Sequence, residues 1–152
     1  MTTVHSKPER PEYDFYQGRE RPKHHTCAAA LIVRDGKVLM GLREYEKGNP
    51  VWTFPGGRCD PGEDPKVGLK REVAEEIAVN DLEVIQLLGV KEGAYRDENG
   101  ADQVHMFLCR TRQDPSNAEP EKFLEWRWIG PEEIPENLID SKDAGYIRQA
   151  LQ

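Results

Sequence analysis

The chain has 152 residues, 37% of them hydrophobic and 32% charged, which suits one domain burying about two-thirds of the surface its unfolded chain exposes. Apolar runs such as AAALIV and VIQLLGV argue against wholesale disorder, yet none approaches the ~20 apolar residues of a membrane-spanning helix, and the polar start MTTVHSKPERPEYD has no signal-peptide core. With 28 acidic against 21 basic residues the formal charge is -7, which repels a nucleic acid polymer and anionic lipid but leaves room for a small phosphorylated substrate held by local cations or a metal. Cys27, Cys59 and Cys109 lack C-x-x-C spacing, so ordinary reduced thiols in a cytoplasmic chain are expected and zinc or iron–sulfur ligation is not.

In chain order, residues 1–24 carry Pro8, Pro11 and Pro22 among charges and read as an irregular N-terminal arm ahead of a domain spanning 25–152. From Thr26, TCAAALIV and VLMGLR flank Asp35-Gly36 and predict a hairpin. The run VWTF leads into Pro55-Gly56-Gly57, where the strand should end in a turn. Asp64-Pro65 pairs an N-cap with a proline at the first helical position and opens a helix to about Ala78. LEVIQLLGVKEG and QVHMFLCR read as strands around a polar loop near Tyr95 to Asp102, and FLEWRWIG as a further strand. A short turn at Pro131 and a terminal helix from Ser141 to Leu151 complete the order, which predicts an α/β fold with a mixed sheet covered by helices.

Glu72, Glu75 and Glu76 stand at i, i+3 and i+4, which gathers three carboxylates on one helix face. Their mutual repulsion, near the end of a helix whose dipole also disfavours anions, calls for a positive partner. A hard divalent cation such as Mg²⁺ or Mn²⁺ answers that need, and a solvated acidic face would show the same spacing. Gly56-Gly57 ahead of the helix opens the backbone to a ligand, and Gly68, one turn before Glu72, suggests space beside the carboxylates.

From Gly57 to Val79 the segment GRCDPGEDPKVGLKREVAEEIAV resembles the Nudix box: G, five residues, E, seven residues, then R-E-aliphatic-x-E-E-x-G-aliphatic. Gly57, Glu63, Arg71, Glu72, Val73, Glu75, Glu76 and Val79 match. Ala78 stands where the family has glycine, so the helix is expected to run on toward Asn80. The likeness extends over about residues 26–151 through VWTFPGG and LEWRWIGPEEIPENL. It implies an α/β/α sandwich with the box as loop-helix-loop, and hydrolysis of a nucleoside diphosphate linked to another moiety. It further implies Glu72, Glu75 and Glu76 as metal ligands, with the Gly56 carbonyl as another candidate. Gly57 and a Glu63–Arg71 ion pair would be structural.

In that resemblance Glu72 or Glu76 is the general base, and Glu125, before Trp126, is similar to a remote catalytic carboxylate, with a simple rim charge as the competing reading. Arg43 would meet a terminal phosphate, with a surface ion pair to Glu44 or Glu46 as the competing reading. Tyr95, sixteen residues after Val79, resembles a tyrosine of dinucleoside polyphosphate hydrolases and would touch substrate. The segments around FPGG and EWRWIGPEEIP look more like MutT-type enzymes that convert a nucleoside triphosphate to a monophosphate and pyrophosphate. Dinucleoside polyphosphates and ADP-ribose are the alternative substrates. A non-catalytic nucleotide sensor is disfavoured because every box carboxylate is kept.

Overall fold

Asp35 (φ 53°) and Gly36 (φ 75°) both take left-handed backbone, the geometry a two-residue hairpin turn demands. They join β1 (Thr26–Arg34) to β2 (Lys37–Glu46), as the Asp-Gly signal predicts. The computed structural model describes residues 24–152, so the expected arm lies outside the described residues except for its last position. Beyond the hairpin follow β3 (Asn49–Thr53), β4 (Gly56–Arg58), α1 (Pro65–Ile77), β5 (Glu83–Asp97), β6 (Gly100–Arg110), β7 (Phe123–Ile129) and α2 (Asp143–Ala150).

The strands form one mixed sheet in the order β3-β2-β1-β6-β5, with β4 added to β1 and β7 to β2. β1 and β6 run parallel and the other pairs antiparallel. Alternate β1 residues face opposite layers, as strand periodicity requires. Ala28, Ala30 and Ile32 pack with Leu69, Val73 and Ile77 of α1, whereas Leu31 packs with Met106 and with Ile147 of α2. The sheet therefore lies between two helices in an α/β/α arrangement.

A fork in this sheet makes the site. β1 pairs with β2 only at its end, through Val33–Val38 and Arg34–Lys37. Its first half instead pairs with β4, through Cys27–Arg58, Ala28–Gly57 and Ala29–Gly56. Pro55-Gly56-Gly57, read from sequence as a turn, thus contains the beginning of a strand. The reason is close approach: at Gly56 (φ 145°) any β-carbon would collide with the Ala28 carbonyl, so only glycine lets β4 lie this near β1.

Three further expectations are corrected. The polar loop around Tyr95 to Asp102 is largely strand, since β5 and β6 continue to a tight turn at Glu98-Asn99 and shift register between Glu92 and Arg96. The Tyr95 side chain lies outside the described residues. Helix α1 does not run on past Ala78. It stops at Ile77, with Ala78 left-handed at φ 57° and its N–H donating to the Ala74 carbonyl, so the alanine adopts the conformation that glycine favours. Nor does Gly68 make room for the acidic face. A β-carbon there would sit 2.8 Å from Glu63 Oε1 and 2.9 Å from Cys59 Sγ, so the missing side chain admits the preceding loop.

Two substitutions test these backbone readings. Ala78 is exposed, and a left-handed non-glycine residue costs roughly 1–2 kcal/mol, partly offset by the ~0.4–1 kcal/mol that glycine loses through its freer unfolded chain. Ala78→Gly should therefore raise the melting temperature by about 2–4 °C in calorimetry. Gly68→Ala gains about 1 kcal/mol of helix propensity but overpacks Glu63 and Cys59 at a cost of about 1–3 kcal/mol, so its melting temperature should fall. A rise would mean that the loop yields without cost.

Candidate functional site

The Asp64 side chain accepts from Lys66 N at 2.8 Å and starts α1, with Pro65 at the first helical position. The loop before it is tied down in both directions: Cys59 N donates to the Thr26 carbonyl at 2.8 Å, and Asp60 N donates to Glu63 Oε1 at 2.8 Å. Arg71 then grips the loop from the helix, with Nη2 at 2.9 Å from Glu63 Oε1 and Nε at 3.3 Å from Glu63 Oε2. This two-point fork matches guanidinium to carboxylate. Hydrogen bonding from Arg71 holds the Glu63 carboxyl below its ordinary range, and the same contact raises the Arg71 pKa.

Helix α1 directs Glu72 and Glu76 toward β4. Glu76 is buried, at 5% exposure, and its Oε1 accepts from Gly56 N at 2.9 Å. Glu72 packs directly against Gly57, where a β-carbon would collide with its carboxylate, and accepts from Arg71 Nη1 at 2.8 Å. Gly57 is thus required by the carboxylate above it, and Gly56 by the β1 backbone beside it. Glu75 stays outside this group: its side chain is 56% exposed and, among the described residues, pairs with Arg71 at 4.0 Å.

Burial dominates the electrostatics here. It pushes the Glu76 carboxyl up to about 8; the Gly56 N–H and Arg43 oppose the rise, and Glu72 and Glu119 add to it. Glu72 is also raised, first by burial, then by Glu75 and Glu119 against the counterpull of Arg71. Two desolvated carboxylates that resist charging are what a cation would relieve.

A cavity of about 640 Å³ opens at the fork, and Glu72, Glu76, Gly56, Gly57 and Arg43 all border it. Arg43 is placed by aromatic stacking, its guanidinium 4.3 Å from the Tyr45 ring centroid and 5.4 Å from that of Phe123. Among the described residues, no three His, Cys, Asp or Glu side chains converge into a closed metal-ligand set. The Glu72–Glu76 pair nevertheless fits Mg²⁺, which commonly takes one or two carboxylates and completes its shell with water and substrate phosphate.

Glu125 lies elsewhere. Its Oε1 accepts from Arg127 Nε at 3.1 Å and Nη2 at 2.7 Å at an exposed stretch of β7, while Trp126 and Trp128 pack against the core. The remote carboxylate whose charge reaches Glu72 and Glu76 is Glu119, in the loop before β7, paired with Lys122 at 3.4 Å. Sequence reading passed over it because an acid in AEPEKF has no periodicity to mark it. Gly93 and Ala94 of β5, the neighbours of Tyr95, also line the cavity.

The NUDIX domain family matches residues 23–150. An RNA pyrophosphohydrolase of Caulobacter vibrioides is 31% identical over 148 residues, covering 84% of each chain. Among solved structures, a MutT protein from Methanosarcina mazei Go1 superimposes with a TM-score of 0.69 at 22% identity, over 88% of this chain and 96% of that one. An ADP-ribose pyrophosphatase of Streptococcus suis gives 0.66 at 18% identity, over 84% and 89%. The fork, the box helix and the family match lead to one conclusion: this chain is a member of the Nudix hydrolase family, a group of pyrophosphohydrolases.

Proposed function

We propose that this chain hydrolyses a nucleoside triphosphate to a monophosphate and pyrophosphate, with Mg²⁺, or Mn²⁺ in its place, held by Glu72 and Glu76. The observation that carries this reading is that the buried Glu76 carboxylate, the half-buried Glu72 carboxylate and the Arg43 guanidinium border one cavity. Such a cavity offers acidic ligands for a cation and a fixed cation for a phosphate. When bound, the metal supplies positive charge to the phosphate oxygens. The Gly56 carbonyl is the further ligand candidate, and Glu75, on the exposed side, contributes through water.

The chain's own residues account for the remaining steps. Arg43 makes no ion pair among the described residues and holds a phosphate by charge-assisted hydrogen bonds. Water oxygen forms a bond to phosphorus as the bridging P–O bond breaks, and the leaving pyrophosphate takes the electron pair. The water proton passes to Glu72 or Glu76. Glu63 and Arg71 act structurally by fixing the loop that carries Gly57, and Glu125 has no part in the chemistry. A chain of charge -7 and three free thiols suits a small nucleotide in a reducing cytoplasm.

The name of the Caulobacter relative supports a second reading, in which the triphosphate is the 5′ end of an RNA. The bond broken is of the same kind. Assaying nucleoside triphosphates, a 5′-triphosphorylated oligoribonucleotide, dinucleoside polyphosphates and ADP-ribose side by side in Mg²⁺ separates the readings, and the highest kcat/KM is expected on a free triphosphate.

Excess EDTA should abolish turnover and Mg²⁺ should restore it. Glu72→Gln and Glu76→Gln should each lower kcat at least a hundredfold. The metal-free Glu76→Gln protein should melt no lower than the parent, because glutamine keeps the acceptor for Gly56 N and replaces a buried carboxyl that resists charging. Arg43→Ala should raise KM about ten- to a hundredfold, the loss expected from one or two charge-assisted hydrogen bonds worth about 1.5–3 kcal/mol. Unchanged KM would remove Arg43 from the phosphate site.

A further inference from the structure

Strand β5 closes one end of the sheet, and among the described residues no strand pairs with its outer edge. Such an edge presents unpaired backbone groups, which proteins blunt with charge, with proline or with a covering segment. From Val84 to Val90 the strand carries neither charge nor proline. Ile85, Leu87 and Val90 are 42%, 47% and 45% exposed, and they are three of the five large hydrophobic side chains exposed among the described residues. The edge is therefore apolar where it most needs cover.

Strand register shows which face is bare. Leu87 stands opposite Phe107, which packs in the cluster under α1, and Val84 packs against the same cluster. Val90 stands opposite His105, two residues from Phe107 and so on the same side of the sheet. Residues 84, 87 and 90 share this side at a spacing of three because the register shifts between Val84 and Gln86 and again between Leu87 and Gly89. The cover given by α1 ends at Phe107. Beyond it the half-buried His105, its ring stacked on Phe107 at 6.2 Å, joins Leu87 and Val90 in a strip of apolar and ring surface.

A second copy of the chain is a poor fit to that strip. Three half-exposed aliphatic side chains offer on the order of 200 Å², against the ~800 Å² per partner that a stable interface buries. The two register shifts also bend the strand away from the straight ladder that edge-to-edge pairing needs, and each copy carries a charge of -7. A tethered segment needs much less area, because the tether sets an effective concentration on the order of millimolar.

The chain supplies such a segment. Tyr13, Phe15 and Tyr16 are the aromatic residues ahead of β1, and each ring has ~150–250 Å² to bury. His25 O accepts from Gln103 N at 2.9 Å, so the residues before β1 leave the sheet beside β6, the neighbour of β5. Val90 and Leu87 stand opposite positions two and four residues along β6 from Gln103. At ~3.3 Å per residue and ~4.8 Å per strand step they lie about 12 and 16 Å from His25. Residues 17–24 extend to ~26 Å, and Gly18 and Pro22 among them suit the reversal that the path requires. Residues 1–23 hold five basic against four acidic side chains, so the acidic remainder of the chain does not repel them.

We propose that Tyr13, Phe15 and Tyr16 of the chain's own N-terminal arm dock on Leu87 and Val90 and cover the β5 edge. The assignment is independent of which nucleotide the cavity takes. Amide hydrogen exchange of the full chain, on a millisecond-to-minute scale with mass-spectrometric readout, tests it. Replacing Phe15→Ser together with Tyr16→Ser should speed exchange over residues 85–90 at least fivefold and leave β2 unchanged. Leu87→Ser with Val90→Ser, at exposed positions, should in turn speed exchange over residues 13–16 by a similar factor. Unchanged exchange over 85–90 in the arm variant overturns the proposal, even where the β5 variant fails to fold. Protection over 85–90 that grows with protein concentration, alongside a dimer in sedimentation, overturns it in favour of a second copy.

Discussion

The placement of two glutamates of α1 against the bare backbone of two glycines in β4 is the constraint on which the site depends. Glu76 accepts from Gly56 N, and Glu72 fills the space over Gly57. A side chain at position 57 would collide with the Glu72 carboxylate, and one at position 56 would push β4 off the Ala28 carbonyl and so displace the N–H that Glu76 accepts. The contact works in both directions. It lets a helix end approach a sheet edge closely, and it buries Glu76 and half-buries Glu72 beside one another. The resulting electrostatic debt is local, and a cation in the adjoining cavity relieves it. The surrounding structure serves this arrangement: the Glu63–Arg71 fork holds the loop, and Gly68 lets that loop sit on the helix.

The fork in the sheet turns this contact into a cavity. If β1 paired with β2 along its whole length, β4 would have no place and the carboxylates would meet a closed sheet. β1 instead divides its hydrogen bonds between two neighbours, and the gap is lined by Arg43 on one side and by β5 and β6 on the other. Charge is distributed unequally along it. Acids with a guanidinium occupy one end, and Lys91 paired with Asp140 and Asp143 occupies the other.

What the sequence made legible follows the physics of local order. The Asp35-Gly36 turn, the Asp64-Pro65 helix start and the spacing of Glu72 and Glu76 depend on neighbours in sequence, and each is where it was expected. Glycine was harder to interpret, because a turn, a strand in close approach and a packing gap all call for the same residue. Gly56 lies in a strand where the sequence suggests a turn, Gly68 admits a loop where it suggests room for the acidic face, and Ala78 shows the converse, with alanine taking a glycine conformation. The division of the acidic triplet, Glu75 outside and Glu72 and Glu76 inside, depends on where β4 lies and has no signature within α1. The same holds for Glu119, whose influence is electrostatic, and for Lys91, which meets acids 49 and 52 residues away. Contacts of that separation exist only once the sheet has formed.

The central claim is that Glu72 and Glu76 jointly hold the catalytic cation beside Arg43. A crystal soaked with Mn²⁺ and a non-hydrolysable triphosphate, measured at a wavelength where manganese scatters anomalously, addresses it most directly. The account predicts an anomalous peak within coordination distance of both carboxylates, about 2.0–2.3 Å, with the terminal phosphate against Arg43. A manganese peak bound through Glu75 or Glu125 alone, or a phosphate chain lying away from Arg43, would contradict it.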